Sequence, residues 1–269
     1  MSNRIDTSFA ALRQKGRKAF IAYITAGDPS LKISLQVAKT LSDAGVDLLE
    51  IGIPFSDPLA DGATIQAASQ RALEAGTTVP KVLDYLRSFR KHSQIPVVLF
   101  TYLNPIYAYG YEKFQQDAIT AGADGILILD LPPDEAALNS ELRPTQELHS
   151  IRLIAPTTPP KRIREICKTA QGFIYYVSRE GVTGEQSSLA VGIGKQVAAI
   201  KQSTDLPVAV GFGISSPPQA AEVAQQADAV VVGSAIVRQI AEAAKKGSDI
   251  EKTVYDFVAP LVKATHETQ

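Results

Sequence analysis

Eight short apolar runs recur along the 269-residue chain, each followed by a turn and a helix-periodic segment, and this alternation limits the possible folds severely. The runs are Phe20–Thr25, Asp47–Ile51, Val97–Thr101, Gly125–Asp130, Ile151–Ala155, Phe173–Val177, Val208–Val210 and Ala229–Val232. They are rich in Val, Ile, Leu and aromatics and mostly apolar on both faces, as strands of a parallel sheet covered on both sides are. Between them, Leu35, Ala38 and Leu41 form one stripe and Ile65, Ala68 and Ala72 another, with Gly45 and Gly76 as stops. Pro218–Ala227 and Gln239–Lys246 continue the pattern. Ahead of the first run, Ile5, Phe9 and Leu12 share one face of an amphipathic helix. Strand then helix, about eight times over with no composition break, predicts a single (β/α)8 TIM barrel spanning residues 1–269 with an additional N-terminal helix. An open doubly wound sheet is the alternative.

Composition narrows the class of partner. A net charge of −1 gives no electrostatic reason to expect nucleic acid or an anionic membrane. No apolar run approaches the ~20 residues of a membrane-spanning helix, and the N-terminus lacks a signal-peptide core. The single cysteine, Cys167, cannot form an internal disulfide, which fits a reducing, cytoplasmic setting.

In a barrel of this kind the working residues sit at the carboxyl ends of strands. The segment Leu48 to Gly62, LLEIGIPFSDPLADG, is therefore the first place to look. By alternation Leu48, Glu50 and Gly52 share one face of the second strand. Since the helix-facing side favours aliphatics, Glu50 is expected to point into the barrel mouth, where burial would raise its pKa toward neutrality. Asp57 and Asp61 follow between Pro54, Pro58 and Gly62; each reads either as a turn or helix-cap residue or as part of a site. The longest gap between strands also falls here, leaving room for an elaborated loop. At the seventh and eighth strands, Gly211 and Gly213, then Gly233 and Ser234, stand where backbone amides could meet an anion; tight turns are the competing reading. After the sixth strand, Arg179, Gly181, Thr183 and Gly184 describe either a closing lid or an ordinary surface loop, and Tyr175 could line a pocket beside Glu50. Gly192–Ile193–Gly194 lacks the third glycine of a dinucleotide fingerprint.

Other chemistries lack their residues. The lysines fall in helical or loop segments, where a Schiff-base lysine is not expected. His92, His149 and His266 occupy helix-like or terminal positions away from strand ends, giving no metal cluster, and Cys167 has no companion histidine. Carboxylate acid–base chemistry on a phosphorylated substrate remains.

The runs FIAYITAGDP, LLEIGIPFSDPLADGATIQ, YYVSREGVTG, GFGIS and GSAIV, in this order from Phe20 to Val237, resemble the tryptophan synthase α subunit family over essentially the whole chain. The strand-two run is the most specific of them. The resemblance implies retro-aldol cleavage of indole-3-glycerol phosphate to indole and glyceraldehyde 3-phosphate, in the last steps of tryptophan biosynthesis. It maps the acid and base work to Glu50 and the contact with the indole N–H to Asp61. The phosphate site maps to Gly184, Gly213, Gly233 and Ser234, and the indole pocket to Tyr23, Phe100, Tyr175 and Phe212. Thr183 would meet Asp61 when the lid closes. Tyr23 and Phe100 depart from the Phe or Leu often found there. The resemblance also implies an α2β2 heterotetramer with a β subunit that receives indole by channelling and carries the pyridoxal phosphate, this chain having no cofactor. Loop Phe55–Leu59, with Asp57 and Pro58, would dock that partner. A stand-alone indole-3-glycerol phosphate lyase and a catalytically silent regulatory barrel are the rival readings.

Overall fold

The computed structural model describes residues 3–139, 142, 145–178, 186–211 and 213–268, with the side chains of 186–191 left aside. Among the described residues nine parallel strands form one sheet: β1 (Ala19–Thr25), β2 (Leu48–Gly52), β3 (Val97–Thr101), β4 (Gly125–Ile128), β5 (His149–Ser150), β6 (Arg152–Ile154), β7 (Ile174–Val177), β8 (Val208–Gly211) and β9 (Ala229–Val232). Their order, β5-β4-β3-β2-β1-β9-β8-β7-β6, places β5 and β6 at its two ends. These two are halves of one strand interrupted at Ile151, whose N–H still bonds Ile126 O at 2.9 Å. The first half pairs with β4 and the second with β7, so the sheet closes on itself. The eight expected strands are thus present, the fifth in two pieces. Asp47 and Asp130 fall just outside their strands, where their carboxylates accept the N–H groups of Phe20 and Leu103.

Alternation sorts the side chains into two layers. Phe20, Ala22, Leu49, Ile51, Val97 and Leu99 pack outward against the helices. Ile21, Leu48, Val98, Leu127, Ile151, Phe173, Ala209 and Val231 fill the barrel interior together with Ile5, Phe9 and Leu12 of α1 (Arg4–Gln14). The N-terminal helix therefore plugs the amino end of the barrel, Phe9 and Phe173 meeting with ring centroids 5.8 Å apart. Arg4 Nη1 bonds Asp124 Oδ1 at 2.8 Å, and His149 Nε2 lies 2.8 Å from Asp6 Oδ2. His149 is accordingly a residue of a strand's amino end, not of a helix as its sequence context suggested. Cys167 lies in a helix, and Gly192–Ile193–Gly194 lies within another.

The long interval after β2 holds two helices, α3 (Ala63–Glu74) and α4 (Val79–Arg90), so the loop proper is only the stretch from 53 to 62. With the bottom sealed by α1, the opposite mouth is where strand-end residues converge. Among the described residues no helix is long and apolar enough to cross a membrane.

Candidate active site

Glu50 sits at the centre of β2 on the face of Leu48, pointing inward. It is fully buried, and neither carboxylate oxygen meets a hydrogen-bonding group among the described residues. Its register neighbours are Tyr23 on β1 and Val98 on β3. A charge there would be costly, and burial pushes the pKa up to about 8. Near neutral pH the group carries a proton that it can give and take back.

Asp61 closes the loop after β2 and is half-buried. Its Oδ2 accepts the Tyr102 hydroxyl proton at 3.1 Å, while the same hydroxyl accepts the Ala60 N–H at 3.0 Å. Gln66 Nε2 donates to the Asp61 carbonyl at 2.8 Å. Burial raises the carboxyl to about 6, against the lowering effect of the Tyr102 hydrogen bond. The helix-cap reading of Asp61 is not realised: Gly62 is the cap of α3, with no side-chain cap bond. Asp57 is exposed and takes the turn role, accepting Ser56 Oγ–H while its carbonyl receives the Leu59 N–H. Leu59 beside Pro58 is 91 % exposed at the tip.

A cavity of about 220 Å³ opens at the mouth between β1, β3, β7, β8 and β9. Its walls include Tyr23, Asp61, Phe100 and Tyr175 together with Gly213, Gly233 and Ser234. Tyr23 and Phe100 meet edge to face at 5.1 Å, and Phe100 and Tyr175 at 6.5 Å. Two strand-end glycines give these rings room: a Cβ on Gly52 would lie 2.2 Å from the Tyr23 hydroxyl, and one on Gly211 would lie 2.6 Å from that of Tyr175. Glu50 adds no surface to the cavity, although its register neighbour Tyr23 lines it. Both phenols are held protonated, first by burial and then by nearby acids, Asp61 and Glu50 among them for each. The site is thus aromatic, with the Asp61 carboxyl at its wall and the Glu50 carboxyl buried next to Tyr23.

The glycine-lined part of the cavity suits an anion. Gly233 caps α11 (Ser234–Lys246), so the first amides of a 13-residue helix border the cavity with no intrahelical partner. Gly213 has φ +64° and open space where a side chain would stand. Arg179, Thr183, Gly184 and Phe212 lie outside the described residues. Sequence reasoning missed Tyr102 and the cavity-lining Ile65, Ser178 and Ile214. Tyr102 directly follows the third run, and that position was the available signal.

A sequence profile of the family described as "Tryptophan synthase alpha chain" matches residues 9–266. The chain belongs to the tryptophan synthase alpha chain family. The alpha chain of Geobacter sulfurreducens is 47% identical over 262 residues, 97% of this chain and 98% of that one. That of Geotalea daltonii is 50% identical over 236 residues, 88% and 89% of the two chains. Among solved structures, tryptophan synthase subunit alpha from Legionella pneumophila str. Paris superposes with a TM-score of 0.91 at 39% identity, over 98% of this chain and 99% of that one. Tryptophan synthase from M. tuberculosis in an open form gives 0.85 at 31% identity, over 98% and 99%. As a member of the tryptophan synthase alpha chain family the protein is a TIM-barrel lyase of tryptophan biosynthesis.

Proposed function

We propose that the chain cleaves indole-3-glycerol phosphate by retro-aldol chemistry, with Glu50 as proton donor and acceptor and Asp61 as acceptor for the indole N–H. The observation that carries this is Glu50, buried and without a hydrogen-bond partner among the described residues, beside an aromatic cavity edged by a second acid. Protonated Glu50 gives its proton to indole C3, and positive charge builds on the ring nitrogen opposite the Asp61 carboxylate. The glyceryl hydroxyl then loses its proton to Glu50, its oxygen becomes the aldehyde carbonyl, and the electrons of the breaking carbon–carbon bond return to the ring. Indole and glyceraldehyde 3-phosphate leave, and Glu50 regains its starting proton. Each well-placed acid–base group contributes roughly a hundred- to ten-thousand-fold.

The α11 N-terminus with Gly233, Ser234 and Gly213 would hold the phosphate, joined by Gly184; Tyr23, Phe100, Tyr175 and Phe212 would hold the indole. Thr183 would close against Asp61, with Arg179 on the same lid. The projecting loop of Asp57 and Pro58, with its exposed Leu59, would dock a β subunit in an α2β2 assembly, pyridoxal phosphate belonging to that partner. The test is incubation with indole-3-glycerol phosphate, alone and with a β subunit, while indole is measured. Indole is expected in both, faster with the partner. A chain equally fast alone would be a stand-alone lyase, and no indole in either arm would refute the cleavage.

A further inference from the structure

Tyr102, the residue immediately after β3, makes two hydrogen bonds of opposite polarity through one hydroxyl. It accepts the Ala60 N–H at 3.0 Å and donates to Asp61 Oδ2 at 3.1 Å. Its ring also rests on Phe55, with centroids 5.4 Å apart. One side chain therefore touches the base of the projecting loop, its far stem, and the acid that ends it. A phenol has a single proton. With a lone pair already taken by the Ala60 amide, that proton has a fixed direction, toward Asp61. A donor so aimed favours the ionised carboxylate and opposes the effect of burial.

We propose that Tyr102 is a positioning residue for Asp61, keeping its carboxylate ionised and oriented toward the cavity. This rests on the reading of Asp61 as the acceptor for the indole N–H. The other groups facing this pair are Tyr23 from β1, Glu50 from β2 and Tyr175 from β7, with Asp130 beyond β4 beside Tyr102. Tyr23 and Tyr175 stay neutral, since burial raises both. Glu50 titrates higher, at about 8. The change near pH 6 accordingly belongs to Asp61.

Tyr102→Phe keeps the ring against Phe55 and removes only the hydroxyl. Carbon-detected NMR titration of the substrate-free protein should show the Asp61 carboxyl midpoint rising by about one unit, the scale of one hydrogen bond to a charged group. In the pH profile of kcat/KM for indole-3-glycerol phosphate, the acid limb should move up by the same amount. A one-unit move makes the variant roughly fivefold slower near pH 6, with the gap shrinking toward pH 8. An unmoved Asp61 midpoint, or a loss equal at every pH, would overturn the proposal. Because the NMR arm needs no substrate, failure of wild type to release indole would count against the assigned reaction and leave the role of Tyr102 separately tested.

Discussion

Glu50 shows how much one carboxyl can be altered by its surroundings alone. It has no hydrogen-bond partner among the described residues, and burial alone moves it from 4.5 to about 8. Such a shift has a sign for stability. The folded protein holds this proton up to about pH 8 and the unfolded chain releases it near 4.5, so stability falls as pH rises between those values. Glu50→Gln cannot ionise and should escape that loss. We expect the variant to exceed wild type by roughly 3–5 kcal/mol above pH 8, the difference closing toward pH 4.5, in urea denaturation across this range. A pH-independent difference would mean that Glu50 does not titrate as its burial dictates. The same residue was legible in the sequence because an acid in the middle of an apolar strand has few bland explanations. Asp61 was less so, since a residue before Gly62 at the start of a helix could equally have been its cap. Tyr102 carried no such mark: an aromatic at a strand end looks the same whether it fills a core or aims a proton at an acid.

At the scale of the element, two pairs of neighbouring strands, β1 with β2 and β7 with β8, each set a large ring against a strand-end glycine. Tyr23 leans over Gly52 and Tyr175 over Gly211, so Gly211, read as a tight-turn or anion-site residue, leaves space for a neighbouring aromatic, as does Gly52. Gly52→Ala puts a methyl group 2.8 Å from the Tyr23 ring carbon bearing the hydroxyl, a contact that a buried ring cannot accept without moving. Displacing a pocket wall by about 1 Å costs on the order of a hundredfold in rate, and a drop of that size in kcat/KM is expected. An alanine variant with wild-type kinetics would show that the ring position is immaterial. The strands and most helices were legible from hydrophobic period. The fifth strand was blurred because Ile151 interrupts it where the partner changes from β4 to β7, a tertiary event with no local signature. His149 was misread for the same reason, being the first residue of that broken strand.

For the whole molecule, one end of the barrel is stability and the other is chemistry. Asp124 at the amino end accepts Arg4 and Arg90 side chains and the Val97 N–H, locking α1, α4 and β3 together beneath the interior core. The carboxyl end gathers residues far apart in sequence, from Tyr23 to Ser234, around one cavity. Closure of the sheet makes this possible, since an open sheet would leave β5 and β6 as separate edges, with the lining residues no longer gathered at one mouth. The alternating pattern contained that closure, but cavity size and the depth of Glu50 depend on packing across the barrel and were not legible. Glu50 is the residue proposed to move the protons of carbon–carbon cleavage. The most direct measurement of that role is turnover of indole-3-glycerol phosphate by Glu50→Gln, which keeps shape and removes the titrating proton. A loss of at least about a thousandfold in kcat with KM largely unchanged is expected; a rate equal to wild type would show that Glu50 does not move those protons.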